Sequence, residues 1–294
     1  MRHFYRLSAL KLASDIELPE LLPWDGRSDE PVELSFRLGQ VREPDEPDGT
    51  GRKRYFAAYP DEARVLIENG RTVTIEPAPG TDLTEARAIL MAPVQAVLWH
   101  QRGLLPLHAS VIGLSGRAVG LAGPSGAGKS TLAAVLSAKG FDVLADDICI
   151  VDAAKGGDLL PSTPRLRLWR DALQHLGLSP EGLPRALSRR EKFILESDGR
   201  NITSRWILNA VVLLSRQLDG APAIARLRGA DAVIGLQSVV HMLPAARALG
   251  LDLAIFNALT GLLASGLAVW RLVMPDDRSS LSAAAALVAA LLND

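Results

Sequence analysis

The beginning of the chain alternates between apolar and polar side chains with a period of two, which is typical of half-buried β-strands. Residues 5–10 and 32–36 show this alternation. Residues 64–67 and 72–75 flank Asn69-Gly70, a dipeptide that readily adopts the positive φ angles of a tight hairpin turn. The pattern predicts a β-rich N-terminal region with at least one hairpin.

A pattern with helical spacing follows over residues 83–101. Thr81 or Asp82 can cap the start of this helix, and Gly103 lies just beyond its end. Further on, short apolar strands alternate with helices, which is typical of an α/β core with helices on the faces of its sheet. The predicted strands are 107–114, 118–122, 143–145, 148–151, 206–214, 223–227 and 269–273, and the predicted helical regions are 129–139, 231–264 and 279–292.

The change of pattern predicts two domains. We expect a smaller β-rich N-terminal domain over residues 1–103 and an α/β domain over residues 104–294. Within the second domain, we expect strand 223–227 to pair with strand 206–214 across a turn at Asp219-Gly220.

The composition excludes several classes of protein. The chain has 294 residues, 48% of them hydrophobic, and a net charge of −1, whereas disordered chains are poor in apolar residues and highly charged. A near-neutral charge also argues against a dedicated nucleic-acid-binding protein, which usually has a basic excess. The single cysteine, Cys149, cannot form an intramolecular disulfide or a Cys-rich zinc site, and we expect it to be a buried thiol.

Membrane association is not predicted. Residues 1–6 begin no apolar signal-peptide core, so a cytoplasmic location is expected. The most membrane-like stretch, 253–270, contains polar residues and lacks cationic anchors on both sides. A buried helix followed by a strand fits this stretch better than a spanning helix.

A phosphate-binding loop is predicted at residues 123–130, which match the pattern G-x-x-x-x-G-K-[ST] in full. Its glycines let backbone N–H groups approach phosphate oxygens, and the helix that follows directs its positive end toward them. Lys129 would reach the β- and γ-phosphates of ATP, and the Ser130 hydroxyl would bind Mg²⁺. The predicted nucleotide-binding residues are Gly123, Pro124, Ser125, Gly126, Ala127, Gly128, Lys129, Ser130 and Thr131.

The loop alone does not define the type of nucleotide enzyme. Transporter ATPases share it, but they also need an apolar strand ending in Asp-Glu and a downstream Leu-Ser-Gly-Gly-Gln signature. The sequence has neither feature, which argues against a transport ATPase.

Two carboxylates and a histidine accompany the loop. Asp146 and Asp147 end an apolar strand, at the sheet edge where ligands bind in doubly wound folds. One carboxylate can help to hold Mg²⁺ and the other can accept the proton of an attacking hydroxyl, although an isolated Asp-Asp pair is more typical of a solvated turn. His108 lies on the strand before the loop and can orient a carboxylate or contact the transferring phosphoryl group, although a lone histidine in an apolar strand is more often a core residue.

The segment from His108 to Asp147 resembles the catalytic core of HPr kinase/phosphorylase, whose fold is related to that of phosphoenolpyruvate carboxykinase. In that family a histidine, a β-hairpin, the phosphate loop and an Ala-Asp-Asp follow one another at these spacings. The resemblance implies phosphorylation of a protein serine, with Asp146 as the base, His108 supporting it and Asp147 in the metal shell. A weaker resemblance in strand order extends over residues 104–294, and the hexamer of the HPr enzymes implies a homo-oligomer.

The sequence departs from the HPr enzymes in two regions. Their Glu-Ile-Arg-Gly segment, which helps to hold the protein substrate, has no clear copy, and residues 164–170 read Pro-Arg-Leu-Arg-Leu-Trp-Arg instead. The N-terminal domain also differs. The whole chain is more similar to lasso peptide kinases, which implies an acceptor serine at the C-terminus of a precursor peptide. The segments that carry this resemblance are 5–7, 18–21, 103–110 and 164–169.

Charge is unevenly distributed along the chain. Residues 163–192 contain seven basic and three acidic side chains, whereas residues 15–48 contain eleven acidic and three basic ones. The acidic stretch is typical of a solvated surface, and a docking surface for a basic peptide is the alternative. The basic stretch is either a solvated loop or a contact with the triphosphate or the phosphorylated product. The candidates for such contacts are Arg165 and Arg167, followed by Arg190 and Lys192.

Three other functions remain open from the sequence. The first is a small-molecule kinase on the same fold, and the second is a bifunctional kinase/phosphorylase. The third is a nucleotide-binding regulatory module without transfer activity. The presence of His108, Lys129, Ser130 and both aspartates argues against the third, because loss of one of them would be expected there.

Overall fold

A computed structural model describes residues 2–44, 54–162, 165–186, 191–196, 204–275 and 280–293. The chain forms two compact units. The first contains residues 1–104 and 241–254, and the second contains residues 105–240 and 255–294. The segment 241–254 therefore belongs with the N-terminal unit, although the sequence pattern groups it with the α/β region.

The first unit contains a seven-stranded sheet. The predicted hairpin is present, with positive φ angles at both Asn69 and Gly70. The predicted strand over residues 5–10 is wrong, because Ser8 adopts a φ of 55° and the chain reverses there. The strands are β1 (His3–Leu7), β2 (Leu10–Ser14), β3 (Leu22–Pro23), β4 (Leu34–Leu38), β5 (Arg54–Tyr59), β6 (Ala63–Glu68) and β7 (Thr72–Pro77). Their order across the sheet is β3-β1-β2-β4-β7-β6-β5.

The predicted helix over 83–101 is present in three consecutive segments, α1 (Leu83–Ile89), a π-helical turn (Leu90–Val94) and α2 (Gln95–Gln101). The Asp82 side chain caps α1 by accepting a hydrogen bond from the Thr84 amide at 2.9 Å. Pro93 lies in the π-helical turn, where its missing N–H removes a helical hydrogen bond and favours irregular geometry.

The second unit is built on a nine-stranded sheet. Three of its strands, β10 (Arg117–Ala122), β16 (Ile207–Gln217) and β18 (Ala268–Pro275), run parallel to one another. Helices α3 (Lys129–Ser137) and α8 (Ser280–Asn293) pack on one face of these strands. Helix α5 (Gly229–Gln237) packs against β17 (Ala223–Leu227) and β18. The strands are β8 (Leu105–Leu107), β9 (Ala109–Leu114), β10 (Arg117–Ala122), β11 (Asp142–Ala145), β12 (Cys149–Asp152), β13 (Asp158–Leu159), β16 (Ile207–Gln217), β17 (Ala223–Leu227) and β18 (Ala268–Pro275). The helices of the predicted α/β region are α3 (Lys129–Ser137), α4 (Arg170–His175), α5 (Gly229–Gln237), α6 (Leu243–Ala248), α7 (Asp252–Ala264) and α8 (Ser280–Asn293).

Two strand predictions are corrected here. Strand β17 pairs with β18 and not with β16, because β10 and β18 occupy the two edges of β16. The predicted strand 107–114 is divided at His108 into β8, which pairs with β12, and β9, which pairs with β10 and β11. A period-two pattern identifies strands but does not identify their neighbours.

A separate two-stranded ribbon joins β14 (Arg165–Trp169) to β15 (Lys192–Glu196). Leu166, Leu168 and Phe193 are buried in the core that also contains α3 and α8. Side chains alternate along a strand, so the other face of the ribbon carries Arg167 and Lys192. This face is the one that reaches the candidate site.

Two further predictions concern burial. Cys149 is buried, and this burial raises the pKa of its thiol to about 12, in agreement with the packing role expected from the sequence. The membrane-like stretch 253–270 forms α7 followed by β18. Among the described residues, no helix has the length and hydrophobicity needed to span a bilayer.

Candidate active site at the phosphate loop

The predicted phosphate loop connects β10 to α3, the strand–loop–helix arrangement that this motif requires. Gly126 and Gly128 have φ angles of 83° and 96°, which favour glycine because side chains with a Cβ rarely adopt them. At Gly123, φ is 143° and an added Cβ would lie 2.7 Å from the Leu214 carbonyl oxygen. The loop therefore depends on a close approach between its own backbone and strand β16.

Replacing Gly123 with alanine is expected to lower the free energy of unfolding by about 1–3 kcal/mol, because both the backbone strain and the clash must be accommodated. Nucleotide binding should weaken as well, since the clash displaces the loop. Thermal unfolding and ADP titration measure the two effects. Gly140→Ala is the matched control, because Gly140 also has a positive φ but an added Cβ there meets no atom within 4 Å. Equal losses in both variants would contradict the importance of the close approach.

The Lys129 amine lies over the loop. Its Nζ donates hydrogen bonds to the carbonyl oxygens of Gly123 at 3.0 Å and Pro124 at 3.2 Å. Burial lowers the pKa of this amine, and the negative charges of Asp147 and Asp146 oppose the change. Of the predicted nucleotide-binding residues, 123–128 form the loop between β10 and α3, and Lys129, Ser130 and Thr131 form the first turn of α3.

Asp146 connects three parts of the second unit. Its Oδ1 accepts hydrogen bonds from Ser110 Oγ at 2.5 Å and Ser130 Oγ at 2.9 Å. Its Oδ2 accepts one from the Arg167 backbone N–H at 2.7 Å. Burial and the negative charge of Asp147 raise the pKa of this carboxyl above its usual value. The carboxylate thus joins strand β9, helix α3 and the ribbon strand β14.

Asp147 faces the cations of the ribbon. Its Oδ2 lies 2.8 Å from Arg167 Nη1 and 3.6 Å from Lys192 Nζ. Burial acts to raise the pKa of this carboxyl, but the nearby positive charges, those of Arg167 and Lys192 above all, together outweigh burial and hold it below its usual value. The residue has a φ of 67°, an uncommon conformation for a residue other than glycine that is often found at functional sites. Its side chain retains 18% exposure, so an incoming group can reach it.

His108 lies between β8 and β9, and its backbone N–H donates to the Val239 carbonyl at 2.8 Å. Burial and the nearby charge of Lys129 lower the pKa of its imidazole, while the charge of Asp147 and a hydrogen bond to the Asp147 backbone raise it. The net lowering favours a neutral ring at neutral pH. The histidine is therefore close to both Lys129 and Asp147, and the support of Asp146 that the family resemblance implies stays a prediction.

The four predicted cationic contacts differ in position. Arg167 and Lys192 both reach Asp147. Arg165 lies on the same strand face as Arg167 but pairs with its cross-strand neighbour Glu196 at 3.3 Å. Arg190 lies outside the described residues.

Two residues at the site were not predicted from the sequence. Ser110 contributes its hydroxyl to Asp146, and the only available signal is a serine within an apolar strand. Arg216 lies near the carboxyl end of β16, where an added Cβ on Gly128 would be 2.9 Å from its Nη2 and where its Nη1 donates to the Pro275 carbonyl at 3.2 Å. No sequence signal indicates Arg216, because its proximity to the loop depends on the parallel pairing of β10 and β16.

Replacing Arg216 with glutamine is expected to weaken ADP binding about tenfold, the loss of one charge-assisted contact worth about 1.5 kcal/mol. The reason is that its guanidinium adds positive charge at the first turn of α3, where phosphates bind in this motif. Isothermal titration of ADP measures the effect. Arg226→Gln on strand β17, which pairs with β18, is the control, since Arg226 is exposed there and lies against the Trp270 ring. Unchanged affinity in the Arg216 variant would exclude this contribution.

The donor atoms at the loop suit a magnesium nucleotide. Mg²⁺ prefers oxygen ligands and is usually bound by one or two carboxylates together with substrate phosphates. The Ser130 hydroxyl hydrogen-bonds to Asp146, and Asp147 follows directly in the chain. These oxygen donors stand beside a glycine-rich loop in which Gly126 and Gly128 adopt positive φ angles. The residues present therefore fit ATP with Mg²⁺.

Comparisons with known proteins give little further information. No protein-family model matches the sequence, and no curated protein sequence matches it. The chain is similar to a solved structure described as the Hpr(Ser) kinase/phosphatase from Coxiella burnetii, with 12% sequence identity and a TM-score of 0.34. The similarity covers 64% of this chain and 97% of that chain.

Proposed function

We propose that this protein is an ATP- and Mg²⁺-dependent kinase, with a phosphate-loop core of the HPr kinase type, that phosphorylates a serine hydroxyl of a peptide or small protein. The finer proposal is that the acceptor is the C-terminal serine of a lasso peptide precursor. The observation that carries the kinase proposal is the grouping of Lys129, the Ser130–Asp146 hydrogen bond and Asp147 around one phosphate loop. A nucleotide site with an accessible carboxylate beside it suits transfer to a hydroxyl.

The two aspartates are assigned different roles from those implied by the family resemblance. Ser130, the residue expected to bind the metal, donates to Asp146, so Asp146 is assigned to the metal side. Both oxygens of Asp146 already accept hydrogen bonds. In the described part of the chain, both salt bridges of Asp147 use Oδ2, and its side chain is partly exposed. The raised pKa of Asp146 makes that residue the stronger base, so the assignment of the proton-accepting role to Asp147 rests on its accessibility to an acceptor.

The proposed reaction is an in-line transfer of the γ-phosphoryl group. The acceptor serine oxygen forms a bond to phosphorus, the bond between phosphorus and the β–γ bridging oxygen breaks, and the serine proton passes to Asp147 late in the step. When bound, Mg²⁺ would neutralise charge on the phosphate oxygens. The positive charges of Lys129, Arg167 and Lys192 lie around the loop and Asp147. In the proposed reaction they stabilise the negative charge that develops on the transferring phosphoryl group.

The ribbon supports a peptide as the acceptor. Trp169 lies at the end of β14, opposite Lys192, and its side chain is exposed. An exposed aromatic ring beside a cation and a reactive carboxylate offers both stacking and charge contacts to a peptide. The segment 164–169 is also part of the resemblance to lasso peptide kinases, which carries the C-terminal serine proposal.

The test is transfer of labelled phosphate from ATP to a set of acceptors, with product positions assigned by mass spectrometry. The set contains peptides ending in serine, the same peptides extended by one residue, HPr, and small hydroxylated metabolites. Labelling of the C-terminal serine alone supports the finer proposal, and labelling of metabolites alone would replace it with a small-molecule kinase. Release of pyrophosphate from phosphopeptide and inorganic phosphate would identify a bifunctional kinase/phosphorylase.

The cytoplasmic location, the homo-oligomer and the absence of nucleic-acid and membrane partners stay predictions from the sequence.

A further inference from the structure

Ser110 is a polar residue in an apolar setting. It lies in strand β9 between Ala109 and Val111, and all three residues are buried, with Ser110 at 0% exposure. Burying a hydroxyl is unfavourable unless it finds a hydrogen-bond partner. The partners of this hydroxyl therefore indicate why a serine is present here.

Both described partners of Ser110 belong to the candidate site. Its Oγ donates to Asp146 Oδ1 at 2.5 Å and lies 3.5 Å from Ser130 Oγ. Ser130 donates to the same carboxylate oxygen at 2.9 Å. Asp146 Oδ1 is thus held by two hydroxyls, one from the sheet and one from the first turn of α3.

We infer that Ser110 is a positioning residue that orients Asp146 toward Ser130 and thereby supports the binding of Mg²⁺ with the nucleotide. The inference rests on the proposed function, because it assigns Ser130 and Asp146 to the metal side of the site. Ser110 does not need to touch the metal or the nucleotide. It acts through the carboxylate that it hydrogen-bonds.

The geometry explains why this support is needed. The Ser130 oxygen can face a metal only while its hydrogen points away, and the hydrogen bond to Asp146 fixes that direction. The Arg167 backbone N–H, on β14, donates to Oδ2 of the same carboxylate, and the Ser110 hydroxyl, on β9, donates to Oδ1. Loss of the Ser110 hydroxyl removes the hydrogen bond from strand β9 to Asp146 Oδ1 and leaves the orientation of the Asp146 carboxylate less defined.

The experiment measures ADP affinity by isothermal titration in EDTA and over a range of Mg²⁺ concentrations, using the full chain. Ser110→Ala is expected to raise the Mg²⁺ concentration that gives half of the metal-dependent gain in affinity by about 10-fold or more, as for other residues that hold metal ligands. ADP affinity in EDTA should stay unchanged. Ser110→Cys keeps the volume with a weak donor and should behave like the alanine variant, whereas Ser110→Thr keeps the hydroxyl and should restore much of the wild-type Mg²⁺ response.

Ser14→Ala is the matched control. Ser14 is also 0% exposed, lies in strand β2 of the other unit, and donates its hydroxyl to the Ile16 carbonyl at 2.6 Å. A purely structural role for Ser110 would lower the unfolding temperature, as the control does, without changing the Mg²⁺ requirement.

An alanine variant with the wild-type Mg²⁺ requirement would overturn the inference, and so would wild-type ADP binding that does not depend on Mg²⁺. Failure of the proposed function is seen separately, as absence of phosphoryl transfer by wild-type protein whose Mg²⁺-dependent ADP binding is intact.

Discussion

Replacing Lys129 with methionine is expected to reduce phosphoryl transfer by about 10²- to 10³-fold, the range found when one preorganised electrostatic contact to a transition state is removed. The amine lies directly over the loop, within hydrogen-bond distance of the Gly123 and Pro124 carbonyls. Methionine keeps much of the length and apolar character of the side chain but removes the charge. The loss should therefore appear mainly in kcat, with a smaller weakening of ATP binding, because charge on the phosphoryl oxygens changes during transfer.

Steady-state kinetics with labelled ATP measure this effect. Lys139→Met is the matched control, since Lys139 follows the other end of the same helix and is exposed there. Wild-type transfer by the Lys129 variant would contradict the assignment of the loop as the phosphate site. Equal losses in both variants would point to a general effect of charge removal and not to a contact in the site.

The strand–loop–helix geometry around the predicted phosphate loop could be predicted because it depends on local residues. Residues 123–130 carry the glycines, the lysine and the serine in one contiguous segment, and the strand and helix on either side are visible as apolar patterns. The Asn69-Gly70 hairpin is a second local feature of this kind. In both cases the backbone conformation is dictated by residues within the segment itself.

The contacts that assign roles to the aspartates could not be predicted in this way. Ser110 meets Asp146 because β9 pairs with β11, and a sequence pattern identifies strands without identifying their partners. The same limit explains the incorrect pairing of β17. Arg165 and Arg167 share one strand face, and only the cross-strand neighbour Glu196 separates their roles.

The division of roles between the two aspartates gives a prediction with opposite results in two variants. Asp147→Asn is expected to lower transfer by about 10²- to 10⁴-fold, the usual contribution of a general base, while Mg²⁺-dependent ADP binding stays intact. The amide keeps the shape of the side chain but cannot accept the serine proton. Arg167 and Lys192 would lose their charged partner, and this loss leaves the bond between Ser130 and Asp146 in place.

Asp146→Asn is expected to act first on metal binding. Its carboxylate receives the Ser130 hydroxyl and the Arg167 amide, and replacing one of its oxygens with an NH₂ group places a donor against one of these donors. The Mg²⁺ requirement for ADP binding should therefore rise, and transfer should recover in part at high Mg²⁺. Asp142→Asn, at the start of strand β11, which ends directly before Asp146, is the control for charge removal. If Asp146→Asn keeps Mg²⁺-dependent binding and loses transfer while Asp147→Asn loses Mg²⁺-dependent binding, the roles implied by the family resemblance are restored, with Asp146 as the base and Asp147 on the metal.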